Sequence, residues 1–307
     1  MFEILKTVNK QIVVQNKFSK GSWINVITPT ADDEEKLLSI INLPKYFLEE
    51  LHDKDEQPRV EADEDIIGLI VRVPLKKIDG EEIKYSTRPM GIVFTKTGII
   101  TISHSQNDVI EEAKKRNINT TNSIQTALNI LLVTAELYSS YLGQISKMSY
   151  QVQRALRQNV DNIELARLSR MKQSLVYFAT SLKGNIFMMD KFIKRKGLEK
   201  KEEYQDIIRD ITVENVQSLE MTRIDTDIVH SIMNTSNAIL SNNLNQRLKT
   251  LTSLTIILMI PTLIASIYGM NVTLPFADNP KIFFWIVFIS VFFCLSGYVI
   301  FRRKDLF

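Results

Sequence analysis

The chain has 307 residues, a formal net charge of +3 and one cysteine, Cys294. So small a charge gives no footing for nucleic acid as a partner, and a lone thiol excludes an internal disulfide. Charged residues are 24% of the composition, yet between Lys249 and Arg302 only Asp278 and Lys281 carry charge. That asymmetry predicts a water-soluble front and a membrane-spanning back.

The amino terminus, MFEILKTVNKQ, has no basic region followed by an apolar core, so it does not read as a signal peptide. Residues 1–120 read as an α/β domain of the cytosol. Strands are predicted from Ile4 to Val8, Gln11 to Gln15, Trp23 to Thr28, Ile66 to Val73, Met90 to Thr95 and Ile99 to Ser103. Pro29-Thr30 followed by the acids Asp32 to Glu35 suits a helix start. Lys96-Thr97-Gly98 would turn the last two strands into a hairpin. The acids Asp53, Asp55, Glu56, Glu61, Asp63, Glu64 and Asp65 read as a solvated surface, with metal binding the lesser reading.

Residues 121–250 read as a helical stalk. Asn122 caps, and Ile124, Leu128, Leu131, Leu132, Ala135 and Tyr138 follow at helical spacing. Asp161-Asn162 breaks this helix; a second runs from about Ile163 to Lys194, and a third starts near Lys201, after Lys196-Gly197. No proline then occurs before Pro261. The third helix is therefore expected to continue to Gly269, a length of roughly 100 Å at the standard rise. The alternative is a break in the Asn-rich stretch from Asn234 to Asn245. A heptad-like stalk favours self-association.

Residues 251–269 and 282–301 lack Asp, Glu, Lys and Arg, and each reaches about the 30 Å of a hydrocarbon core. They read as two membrane spans rather than as helices of a soluble core. Pro261 is tolerable there, because neighbouring groups satisfy the carbonyl it frees. Residues 270–281 form the loop between the spans, and 302–307 a basic tail. Arg247, Lys249, Arg302, Arg303 and Lys304 flank the spans, against Lys281 alone in the loop. Both termini are thus expected in the cytoplasm of a multi-pass cell-membrane protein.

Steps of three and four from Ser241 trace one stripe on the first span's helix: Asn245, Leu248, Thr252, Thr255, Met259, Thr262, Ser266 and Gly269. The second span has no such stripe; Phe283, Phe284, Trp285, Phe288, Phe292 and Phe293 suit lipid. Either the stripe lines a path, or its hydroxyls bond their own helix and its neighbours. Two spans cannot enclose a path, so several copies are needed.

Tyr268-Gly269-Met270-Asn271 stands at the end of this stripe, after an apolar helix with Pro261 and before a second span. In that setting it resembles the CorA family of divalent-cation transporters, and Gln57-Pro58-Arg59-Val60-Glu61 extends the likeness. The resemblance implies an α+β cytosolic domain, a long-helix stalk and two transmembrane helices assembled as a homopentameric funnel. It implies Mg²⁺ as cargo, with Co²⁺ or Ni²⁺ possible, and Mg²⁺ again as regulator. The family often places Met-Pro-Glu soon after the motif; here the loop is VTLPFADNP, with Asp278 its sole acid. Asp210 falls where the resemblance places an aspartate that binds regulatory Mg²⁺ between subunits. Candidate partners are Asp79, Glu81 and Glu82; the alternative is a surface aspartate paired with Arg209 or another nearby cation.

No GxxxxGKS or GxxxxGKT loop is present, and His52, His104 and His230 show no zinc-like spacing. The chain is therefore expected to be no enzyme and to need no organic cofactor. A divalent cation entering a negative interior gains about 4.6 kcal/mol per 100 mV, twice the single-charge value, so influx needs no fuel. Mg²⁺ releases water reluctantly. Asn271, with Gly269 and Met270, is expected to form an outer mouth for the hydrated ion. Asn245, Thr252, Thr255, Thr262 and Ser266 would line the path, and Leu248, Leu251 and Met259 would form apolar constrictions. A Zn²⁺ transporter of the same architecture remains open, as does a membrane-anchored sensor or scaffold.

Overall fold

The computed structural model describes the chain apart from residues 10, 41–44, 64–65, 81, 117, 159–160, 273–280 and 304–307, and apart from the side chains of residues 40, 45, 63, 82 and 158. Two compact units result, Met1–Met233 and Asn234–Phe307.

The first unit is built on a seven-stranded sheet of order β2-β1-β3-β7-β6-β5-β4. Its strands are β1 (Phe2–Val8), β2 (Gln11–Gln15), β3 (Ser22–Ile27), β4 (Arg59–Asp63), β5 (Ile66–Asp79), β6 (Glu82–Phe94) and β7 (Gly98–Ser103). Only β3 and β7 run parallel; the other neighbours are antiparallel. The parallel pair sets Ser22 opposite Gly98. A Cβ at Gly98 would lie 2.0 Å from the Ser22 carbonyl oxygen, so no side chain fits there.

The sheet has a core on each face because its strands alternate. Ile24, Ile70, Val93, Ile100 and Ile102 face Leu37 of α1 (Ala31–Ile40) and Phe47, Leu48 and Leu51 of α2 (Lys45–His52). Trp23, Leu69, Val71, Ile92 and Ile99 face the opposite layer. That layer holds α3 (Asp108–Lys115), α4 (Ser123–Gln158) and α5 (Asn162–Lys196). Thr30 starts α1 with a reciprocal cap: its hydroxyl accepts from Asp33 N at 3.3 Å, and the Asp33 carboxylate accepts from Thr30 N at 3.1 Å. Asp161 caps α5, and Gly197, at φ 60°, ends it in the left-handed conformation that glycine adopts without strain.

The hairpin at residues 96–98 forms as expected, with Thr95 N donating to Gly98 O at 2.9 Å. The strands before it run further than their apolar pattern. Pro74 and Pro89 would stop a strand read from sequence, yet β5 and β6 pair from Ile67↔Phe94 to Asp79↔Glu82. Side chains from the helices support the backbone at this point. Asn185 accepts from Arg72 N at 2.9 Å and donates to Arg72 O at 2.8 Å, and the Tyr138 hydroxyl donates to Arg72 O at 3.0 Å.

Past a 3-10 turn, Leu198–Lys200, α6 is one helix from Glu202 to Tyr268, unbroken through the Asn-rich stretch. Up to Met233 its buried seam is Tyr204, Ile211, Asn215, Ser218, Thr222, Asp225, Val229 and Ile232. The spacing is heptad-like, but this seam is not an interface between copies. It packs inside the chain: Ser146 of α4 bonds Asp225 at 2.6 Å, Asn122 bonds the Tyr204 hydroxyl at 2.9 Å, and Val229 and Ile232 share a core with Tyr138 and Phe178.

Candidate ion-conduction site

The second unit is an antiparallel-type hairpin of the α6 end and α7 (Ile282–Arg303). Both helices are long and apolar enough to cross a membrane, and only 6% of each apolar window is buried. So little burial is unlike the core helix of a soluble protein, which is mostly buried.

The two helices meet through chosen faces. On α7 the contact face carries a run of small residues beyond the half-shielded Ile286: Ser290 is buried, Cys294 donates its S–H to the Ile257 carbonyl at 3.5 Å, and Gly297 approaches Ile257 and Ile260. The Ile257 carbonyl is the one that Pro261, lacking an N–H, leaves without a helical donor. The satisfying group is thus the thiol of the neighbouring span. On α6, the shielded positions through the span are Ser253, Ile257, Ile260, Pro261 and Ile264.

At about 100° per residue, the stripe residues Thr255, Met259, Thr262 and Ser266 sit about 180–240° from Ser253 around α6. They therefore lie on the face away from α7. Asn245, Leu248, Leu251, Thr252, Thr255, Met259, Thr262 and Ser266 are all exposed. The Thr255 hydroxyl donates to Leu251 O at 2.8 Å and that of Thr262 to Leu258 O at 2.9 Å. With the proton turned into the helix, each oxygen offers its remaining acceptor capacity outward. The backbone carbonyl bond read from sequence as a competitor of lining thus coexists with an acceptor face.

The helix ends where the stripe ends. Gly269 N still reaches Ala265 O at 2.9 Å, while Met270 N tightens to Ile267 O at 3.4 Å. Met270 and Asn271 follow, both exposed. Asp278 and Lys304 lie outside the described residues.

In the first unit Asp210 is exposed on α6 and has no partner among the described residues. Arg209 pairs instead with Asp206 at 2.9 Å. Of the acids named as Asp210's partners, Asp79 is held by Lys84 at 2.9 Å, which draws its carboxyl below the ordinary range. Glu81 and the Glu82 side chain lie outside the described residues. The acids around residue 56 are not simply solvated: Glu50, Glu56 and Glu61 gather on Arg59.

The family model of the CorA-like Mg²⁺ transporter protein matches residues 19–303. The chain belongs to the CorA family. A CorA cobalt/magnesium transport protein of Methanocaldococcus jannaschii is 27% identical over 294 residues, covering 92% of this chain and 90% of the relative. The complete structure of the M. jannaschii CorA magnesium transporter matches 99% of this chain and 98% of its own, with a TM-score of 0.80 at 24% identity. Full-length CmaX gives a TM-score of 0.70 at 11% identity over 98% of this chain and 96% of its own. The ZntB cytoplasmic domain from Vibrio parahaemolyticus gives 0.59 at 11% over 78% of this chain and 98% of that domain. These likenesses fix a CorA fold, and family membership makes the chain a CorA-like divalent-cation transporter of the membrane.

Proposed function

We propose that the chain is the protomer of a homopentameric channel for downhill influx of hydrated Mg²⁺, with Co²⁺ or Ni²⁺ as further cargo. One observation carries the reading: the polar face of α6 points away from α7 and ends at Gly269-Met270-Asn271. A lone hairpin cannot enclose water, so this face meets its equivalents in other copies. Exposed Leu240, Leu244, Leu248 and Leu251 on the same side of α6 supply apolar surface for that assembly.

The ion passes with water still bound, because the face offers hydroxyl and amide oxygens but no carboxylate to replace a full hydration shell. Asn271 forms the outer ring, Thr252, Thr255, Thr262 and Ser266 the lining, with Asn245 further along the same helix. Leu248, Leu251 and Met259 form the constrictions. Arg247, Lys249, Arg302 and Arg303 keep their ends of the helices cytoplasmic. Asp210, without a partner among the described residues, closes the channel by binding Mg²⁺ jointly with an acid of the adjacent copy. Two carboxylates repel until a cation bridges them, and the bridged state is favoured by the ion's preference for it.

The test is flux into liposomes holding the purified protein, with Mg²⁺, Co²⁺ and Zn²⁺ supplied in turn. Mg²⁺ entry that stops as internal Mg²⁺ rises supports the proposal. Zn²⁺ entry without Mg²⁺ entry would replace it with a zinc carrier, and no flux of any ion would leave a membrane sensor.

A further inference from the structure

Three metal-ligating side chains far apart in sequence meet in the first unit on the face of the sheet covered by α1 and α2. Glu34 lies near the start of α1, His52 ends α2, and His104 follows the last residue of β7. One ligand atom from each lies within 4.8 Å of the other two. His52 Nε2 is 3.7 Å from Glu34 Oε1, and the two imidazole centroids are 3.8 Å apart.

The protons are placed for ligation. His52 Nδ1 lies 3.0 Å from the Leu48 carbonyl, which only accepts, so Nδ1 is the donor there and Nε2 is the nitrogen turned toward Glu34. An imidazole oriented by a backbone carbonyl through its other nitrogen is the usual state of a metal-bound histidine. His104 Nε2 is buried and has no hydrogen-bond partner among the described residues. Such an atom is costly to bury, and a bound cation removes the cost. A tilted imidazole pair with no ligand would account for the ring contact but leaves that nitrogen unsatisfied.

We propose that Glu34, His52 and His104 bind one borderline transition-metal ion of the Zn²⁺, Co²⁺ and Ni²⁺ class. Imidazole suits these ions, whereas Mg²⁺ takes oxygen ligands. The site therefore selects against Mg²⁺, the main cargo proposed for α6. Two neutral imidazoles and one carboxylate leave a fourth, tetrahedral position for water. Ligand atoms in such a shell stand about 3.3 Å apart, given bonds of about 2 Å, so side-chain rotation suffices to close the site. The ion would tie α1 and α2 to the end of β7.

The test uses the full chain in detergent, stripped of metal, with Co²⁺ as the probe and about 10 mM Mg²⁺ present to fill weak oxygen-ligand sites. The expected result is one Co²⁺ per chain, with visible absorption of a four- or five-coordinate site that Zn²⁺ displaces. His52→Ala, at an exposed helix end, should weaken Co²⁺ binding by about 100-fold or more, and Glu34→Gln should weaken it too. Asn271→Ala should leave the Co²⁺ spectrum intact, which separates this site from any ion held in the conduction path. Unchanged Co²⁺ affinity in both His52→Ala and Glu34→Gln, or no Co²⁺ bound by the parent in Mg²⁺, would overturn the assignment.

Discussion

If the face of α6 opposite α7 lines the path, a charge fixed there should block the ion and a charge fixed on the α7 side should not. The perturbation is a single cysteine at Thr255, Thr262 or Ser266, compared with Ile257, Ile260 or Ile264, in a Cys294→Ala background. That background loses one weak S–H bond at 3.5 Å, worth about 0.6 kcal/mol by the average for polar contacts between membrane helices. The hairpin should survive it. A trimethylammonium thiosulfonate then adds a permanent positive charge. Against a divalent cation at about 4 Å, that charge costs about 2 kcal/mol at the dielectric of bulk water and more in a narrower, drier path. Two kcal/mol is already a factor of about 30 in rate. The assay is Mg²⁺ entry into dye-loaded proteoliposomes before and after the reagent. We expect a fall of about 30-fold or more at Thr255, Thr262 and Ser266, and under about 2-fold at Ile257, Ile260 and Ile264. Block confined to the isoleucine positions would refute the reasoning, since it would put the path on the side where α7 lies.

Asn271→Ala should abolish Mg²⁺ uptake while the purified protein keeps its circular dichroism; normal uptake by the inserted variant would remove Asn271 from the mouth. Leu248→Ser or Met259→Ser should raise resting ion leak by wetting an apolar ring, and parental leak in both variants would show that neither gates. Asp210→Ala should shift inhibition by internal Mg²⁺ to higher concentration across the range from micromolar to tens of millimolar; an unchanged curve would exclude Asp210 as the sensor. Asp225→Asn should raise the melting temperature by about 1–3 °C at neutral pH, because burial raises the Asp225 carboxyl and an amide oxygen can still accept from Ser146. The fold binds that proton more tightly than the open chain does. The gain should therefore shrink as pH falls through the raised value and vanish below the ordinary 3.8.

What the sequence revealed depended on whether a pattern was local. The spans, the stripe and the long helix are periodic within one segment, so Thr252 through Ser266 could be read as a face before any fold was known. Strands β3 and β7 were legible because each is a short local run rich in Ile and Val or Trp, buried along its whole length. The extensions of β5 and β6 were not, because Pro74 and Pro89 argue against strand locally. Asn185 and Tyr138, from helices far along the chain, supply the missing support. Helices α2 and α3 are only eight residues each, too short for a helical period to show. His52 and His104 looked unrelated by spacing; the packing of α2 over the end of β7 alone brings them together. Which face of α6 receives α7 was likewise hidden, since it is decided by Ser290, Cys294 and Gly297 on the partner helix.

The small-residue face of α7 divides the changes that a lineage can accept in this helix. In lipid, swapping one apolar side chain for another gains or loses little by transfer, since the tails are as apolar as leucine. Phe283, Phe284, Phe288 and Phe292 are therefore free to drift among large apolar residues. Ser290, Cys294 and Gly297 are bound by size: a Cβ on Gly297 would rest 3.7 Å from Ile257, so alanine fits and a leucine would pry the helices apart. Aligned relatives should consequently vary in identity on the outer aromatic face and in polarity, but not in bulk, on the inner one.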